Sequence, residues 1–147
     1  MDEKYIKIMN RINNDNHFLQ SSNMKVTEIR KGYAKVEMNL DEKILNIYGL
    51  VHGGALFSLA DTAAGAASFT TGRESVTLSA SINYIKPGTG GRLIAIASEI
   101  SAGHSTGVYE VFIFNDENKL LCRATVTMYF INESRKKEHP HPAAERG

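Results

Sequence analysis

The spacing of apolar residues changes along the chain, and each change marks an element. In residues 2–13, Tyr5, Ile8, Met9 and Ile12 recur three and four apart. That spacing predicts an amphipathic helix whose apolar face covers something else. The polar run Asn13-Asn14-Asp15-Asn16 ends it. From 24 to 40 the period falls toward two. Val26 and Ile29 come first, and then Ala34, Val36, Met38 and Leu40 alternate with Lys35, Glu37 and Asn39. Lys31-Gly32 between the two runs predicts a hairpin with one packed and one wet face.

Residues 41–51 have mixed character and predict a loop. The next segment, about 54–71, is apolar on every side. Between His52 and Arg73 the only ionisable side chain is Asp61. A helix of that kind must be buried on most sides, and Gly72 ends it. Four strands follow without another helix. Residues 75–85 alternate, which assigns Val76, Leu78, Ala80, Ile82 and Tyr84 to one face and Thr77, Ser79, Ser81 and Asn83 to the other. Residues 93–102 are almost continuously apolar, which predicts a strand covered on both faces. Residues 108–114 and 120–131 supply the last two strands, with turns at 87–91, 103–107 and 115–118. Residues 132–147 are charged, contain proline and have no period, so a mostly disordered tail is expected there. Strands joined by short turns form an antiparallel sheet. One long apolar helix is buried if that sheet curls around it, an α+β arrangement. Residues 1–131 are therefore expected to form one domain.

Composition narrows the function classes. A chain of 147 residues with a net charge of +1 and scattered basic groups has no electrostatic footprint for nucleic acid. Cys122 is the only cysteine, which excludes an intramolecular disulfide framework and suggests a reducing compartment. Met1-Asp2-Glu3-Lys4 opens with acidic residues and no apolar core follows it, so no signal segment is expected. The apolar stretch around Ala55 holds Asp61, Gly65 and several Ser and Thr, so no membrane span is expected. The cytoplasm is the expected location.

Two local features point to chemistry. Gly53 and Gly54 open the apolar helix, where backbone N–H groups lack intrahelical partners and the dipole favours negative charge. They can form an oxyanion hole, or simply start a tightly packed helix. Asp61 is a lone carboxylate among small residues, with Gly54, Ser58, Gly65 and Ser68 near its face. It can attack a carbonyl, activate a water, or merely pair with a neighbour. His52 and Asn46 can position groups beside the helix entrance, although a structural His and a turn Asn explain them equally well. His139-Pro140-His141 resembles a short metal tract but has no further ligands around it. Cys122 has no activating neighbour in the strand pattern. There is no Gly-x-Ser-x-Gly elbow and no phosphate loop.

The element order and the spacing Asn46-x-x-Gly49-x-x-His52-Gly53-Gly54-x6-Asp61 resemble the hotdog-fold acyl-CoA thioesterases, nearest the phenylacetic-acid-degradation type. Asn83-Tyr84-Ile85-Lys86-Pro87 is similar to that family's third-strand signature. The likeness spans about 26–130. It implies hydrolysis of an acyl- or aryl-CoA thioester, with no metal or other cofactor. It implies a dimer with one continuous sheet, commonly paired again into a tetramer, and sites shared between subunits. The implied catalytic set is Asp61, Gly53, Asn46, His52 and Thr77. The implied substrate and coenzyme A contacts are Gly54, Thr62, Ser79, Tyr84, Lys86, Gly88, His104 and Ser105, with Arg92 assisting. Phe57, Phe69 and Tyr48 hint at an aryl or medium acyl tail. The rival readings are an acyl-thioester hydratase or dehydratase of the same fold, and a non-catalytic acyl-CoA-binding module.

Overall fold

A computed structural model describes residues 2–131, and the predicted tail at 132–147 lies outside the described residues. Helix α1 spans Glu3–Asp15. Asp2 caps it by accepting from the Lys4 N–H, and its buried side is Tyr5 and Ile12. A second helix that periodicity did not indicate, α2 (His17–Ser21), follows at once. Five residues are too few to show a helical period. The local signal is Asn16, whose Oδ1 accepts from the Leu19 N–H as an N-cap.

Strands β1 (Met24–Arg30) and β2 (Tyr33–Asn39) form the predicted hairpin, with Gly32 in the left-handed region at φ 68°. The expected loop contains one 3-10 turn, Glu42–Ile44. Helix α3 runs Gly53–Phe69, starting one residue earlier and ending two residues earlier than its apolar stretch suggests. The Thr70 and Thr71 hydroxyls donate to the Ala67 and Ser68 carbonyls and close it. Then come β3 (Glu74–Tyr84), β4 (Arg92–Ala102), β5 (Thr106–Asn115) and β6 (Leu120–Ile131).

The six strands form one antiparallel sheet in the order β1-β2-β4-β5-β6-β3. Helix α3 packs against all six. A flat sheet of that size is about 24 Å across, twice the width of a helix, so the sheet must curl. Leu59, Ala60, Ala63, Ala64 and Ala67 of α3 meet Val36, Ala95, Val111 and Val126 in the core. No helix among the described residues is long and apolar enough to cross a membrane.

Two strand expectations need correction. Strand β4 is not covered on both faces. Leu93, Ala95 and Ala97 are buried against α3, while 98–102 are exposed, Ile100 to 60%. The continuous apolar run has another cause. Ile94 and Ile96 lie on the outer face, in register with Phe114 and Phe112, and form a cross-strand cluster. Strand β3 does not keep one alternation. A bulge between Thr77 and Ser79 shifts the register, and an extra residue exchanges the faces. Thr77 is opposite buried Met128, and Ala80, Ile82 and Tyr84 are opposite Val126, Ala124 and Cys122. Thr77 and the later apolar residues therefore share the inner face.

The two edges of the sheet differ. On β1, the Asn13 side-chain amide donates to the Val26 carbonyl at 2.9 Å and accepts from its N–H at 2.8 Å. No backbone among the described residues pairs with the outer edge of β3, where Val76 and Leu78 are exposed to 49% and 60%.

Candidate active site

The start of α3 is capped by a histidine. The His52 carbonyl accepts from the Ala55 and Leu56 N–H groups at 2.9 and 3.2 Å. Its Nδ1 accepts from the Gly54 N–H at 2.8 Å. An accepting Nδ1 carries no proton, so this network assigns the proton to Nε2. Three of the four opening amides are thus satisfied. The Gly53 N–H alone has no acceptor among the described residues.

The Gly53–Gly54 peptide is held from both sides. The Tyr84 hydroxyl donates to the Gly53 carbonyl at 2.8 Å, opposite the His52 contact to the Gly54 N–H. Burial pushes the Tyr84 phenol up from its ordinary value, so it stays protonated and donating. A cleft of about 290 Å³ brings Asn46, Gly53, Tyr84, Lys86 and Gly88 together. Asn46 shapes the loop before the helix. Its Oδ1 accepts from the Tyr48 and Leu50 N–H groups at 2.9 and 3.1 Å, while Gly49 turns the chain at φ 73°. Its amide nitrogen has no partner among the described residues and can donate. A Cβ at Gly88 would sit 2.7 Å from the Val51 Cβ, so only glycine lets these two loops touch.

Asp61 lies elsewhere. Its Oδ1 accepts from the Thr77 hydroxyl at 2.6 Å, a bond that the β3 bulge makes possible. Its Oδ2 has no partner among the described residues. Asp61 is half-buried in a second cleft of about 460 Å³, with Phe18, Thr62, Gly65, Thr77 and Met128 among its walls. It follows Gly53 by eight residues, about 12 Å along the helix axis. One chain therefore does not bring the free Gly53 amide and the Asp61 carboxylate to the same atom.

Several other predicted residues fall at neither place. His104 and Ser105 lie in the β4–β5 turn, where the Arg73 guanidinium donates to the Gly103 and His104 carbonyls. That turn is at the C-terminal end of α3, a helix about 25 Å long, so it is remote from Lys86 and Gly88. Ser79 is in register with Thr127 and shares the outer face, away from Asp61. Arg92 pairs with Glu37 at 3.1 Å. Phe69 lines the Asp61 cleft, whereas Tyr48 is 78% exposed. Sequence reasoning missed Phe18 in the cleft wall and the Tyr84 bond to Gly53. Neither contact has a signature in local spacing.

No group of three or more His, Cys, Asp or Glu converges on a metal position among the described residues. His139 and His141 lie outside them. Cys122 is fully buried, and burial pushes its thiol up to about 11. At pH 8 about 0.1% of such a thiol is thiolate, and the thiolate is the reactive form. The native protein should stay silent toward a colorimetric thiol reagent for many minutes, and one equivalent should react on unfolding in denaturant. Fast reaction of the native chain would show that the thiol is accessible.

Comparison with known proteins adds a family. A profile described as the thioesterase superfamily matches residues 48–122. A putative esterase of Archaeoglobus fulgidus is 39% identical over 74% of this chain and 71% of its own length. The acyl-coenzyme A thioesterase PaaI of Escherichia coli is 37% identical over 64% of this chain and 68% of its own. The structure of the E. coli PaaI protein from the phenylacetic acid degradation operon superposes with a TM-score of 0.84 at 28% identity, covering 88% of this chain and 94% of that one. A Streptococcus pneumoniae hypothetical thioesterase solved with coenzyme A gives 0.73 at 34% identity, covering 77% and 91%.

Proposed function

The chain belongs to the thioesterase superfamily, and from that premise we propose that it hydrolyses an acyl- or aryl-CoA thioester to the free acid and coenzyme A. The Gly53 N–H donates to the thioester oxygen and is worth most when that oxygen becomes an oxyanion. The free Oδ2 of Asp61 either attacks the carbonyl carbon or takes a proton from a water that attacks it. In the water route the C–S bond then breaks, and the proton taken up by Asp61 passes to the departing coenzyme A thiolate. In the other route C–S cleavage leaves an acyl–Asp61 anhydride. Water hydrolyses it to the free acid and the restored carboxylate, the released proton going to the thiolate. Thr77 fixes the other carboxylate oxygen. His52 and Tyr84 orient the glycine peptide, and the Asn46 amide is available to the attacking water. Lys86, exposed at the cleft rim, suits the coenzyme A phosphates. Gly54, Gly88 and Thr62 shape the groove. His104 and Ser105 contribute from the other end of a neighbouring subunit. No metal or further cofactor takes part, and no nucleic acid or membrane partner is involved. The setting is cytoplasmic.

The distance from Gly53 to Asp61 supports a site built from two copies. The unpaired edge of β3 supplies a way to join them. Its Tyr84 end lies beside Gly53, and its Thr77 end lies beside Asp61. Antiparallel pairing of β3 with its own copy, about a two-fold axis near mid-strand, sets the Gly53 half of each chain against the Asp61 half of the other. The functional unit is then a homodimer, which can pair again into a tetramer.

The observation that supports this reading most is the single unpartnered amide at the head of a buried helix, in a family that acts on thioesters. A thiol-release assay over a panel of acyl- and aryl-CoA esters tests it, and coenzyme A release is expected. Hydration of an enoyl-CoA without thiol release would indicate a hydratase. Tight binding without turnover would indicate a binding module.

A further inference from the structure

Phe18 has a placement that the hydrolytic reaction does not explain. It is an apolar ring left 59% exposed on a five-residue helix. The helix itself is firmly held. Its neighbour Leu19 is buried in the core, Asn16 caps it, and the Gln20 side chain donates to the Asn13 and Asn14 carbonyls at 2.9 Å. With Leu19 anchored inward, Phe18 must project outward over α3. There it stands between two cavities. On one side is the 460 Å³ cleft that holds Asp61 and Thr77. On the other is a cleft of about 330 Å³ walled by Met38, Ile44, Leu45 and Ala55. Among the residues named for these walls, only Phe18 and Ser58 belong to both. Ser58 is small and turned back on its own helix, its hydroxyl donating to the Gly54 carbonyl. Among the described residues, Phe18 is therefore the only bulky group shared by the two walls.

We propose that Phe18 is the specificity-determining end wall of the acyl subsite. It confines the substrate to aryl and short-to-medium acyl groups and shuts longer chains out of the partly apolar cleft behind it. The proposal rests on the thioesterase reading, because it places the acyl group beside Asp61. A flat ring at the end of a cleft suits contact with a second ring as well as with a chain terminus. Removing the ring joins the two clefts, and the added space offers an apolar wall of Met38, Ile44, Leu45 and Ala55 beside polar groups that include Lys43 and His52.

The test is a kcat/KM profile over saturated acyl-CoA esters of increasing length, plus phenylacetyl-CoA, for the parent, Phe18→Ala and Phe18→Trp. Phe18→Ala should extend the optimum by about two or more carbons, gaining about fourfold for each methylene that enters the joined chamber. On short esters any loss should fall on KM and not on kcat, since the ring touches no reacting atom. Phe18→Trp should move the optimum toward shorter chains. Because Phe18 is mostly exposed, thermal melts of both variants should match the parent. Unchanged profiles in both folded variants, beside an active parent, would overturn the end-wall role alone. A parent that releases no thiol from any ester would overturn the hydrolytic reading, and this proposal with it.

Discussion

Asp61→Asn is expected to lower kcat by about a thousandfold or more while leaving KM within a few-fold of the parent. Asparagine has nearly the same shape as aspartate, and its side-chain oxygen can still accept the Thr77 hydrogen bond that holds Asp61 at 2.6 Å. The cleft and the fold are therefore kept. The neutral amide can neither add to a carbonyl nor take a proton from water, so both routes open to the carboxylate are lost together. A loss confined to kcat would mark a group acting on the reacting atoms, whereas a rise in KM alone would mark uniform binding. Turnover equal to the parent would remove Asp61 from the mechanism. Single turnover in ¹⁸O-labelled water separates the two routes in the parent: a label found on the Asp61 carboxylate requires a covalent intermediate.

Gly53→Pro should be nearly as damaging, by about 100- to 1000-fold in kcat, the usual cost of one oxyanion donor. Proline removes the amide hydrogen and little else here. Gly53 is the first residue of α3, the helical position that proline tolerates best because its N–H has no helical acceptor. The preceding residue must be extended, and His52 already is, at φ −61° and ψ 135°. A Cβ at Gly53 would lie 3.5 Å from the Tyr84 hydroxyl, an ordinary contact. Gly53→Ala, which adds that carbon and keeps the N–H, should retain most of the activity. If the alanine and proline variants fall together, bulk and not the donor is responsible. In the proposed dimer the two inactive variants should complement each other. Mixing Asp61→Asn and Gly53→Pro subunits under exchange gives half heterodimers, each with one intact pair, so about a quarter of parental activity should return. No recovery after demonstrated exchange would place each site within one chain.

The fold was largely legible because its main signals are periodic. The shift from alternation in 33–39 to an all-round apolar segment at 53–69 locates α3, and one carboxylate in that segment is conspicuous by charge alone. Three features were not legible, each for a physical reason. Helix α2 is shorter than two turns, so no period assigns Phe18 to a face. The bulge in β3 leaves the alternation of residue types untouched while reversing which side faces α3. Read from the alternation, Thr77 belongs with Ser79; in the sheet the two are on opposite faces. Of the two contacts that fix the Gly53–Gly54 peptide, the one from Tyr84 joins residues 31 positions apart, and no local spacing encodes such a pair. The Asp61–Thr77 bond has the same character, a meeting of helix and strand that depends on sheet order.

The contrast between the guarded β1 border and the bare β3 border limits growth. Asn13 occupies the hydrogen-bonding groups of Val26 with a side chain, so ribbon extension can begin at one margin only. A ribbon with a single sticky margin can be joined once by its twin, and the junction consumes the only margin either partner had. Stacking by that route therefore terminates at a finite particle and cannot run on into a filament. Replacing Asn13 would threaten that termination before it threatened any chemistry.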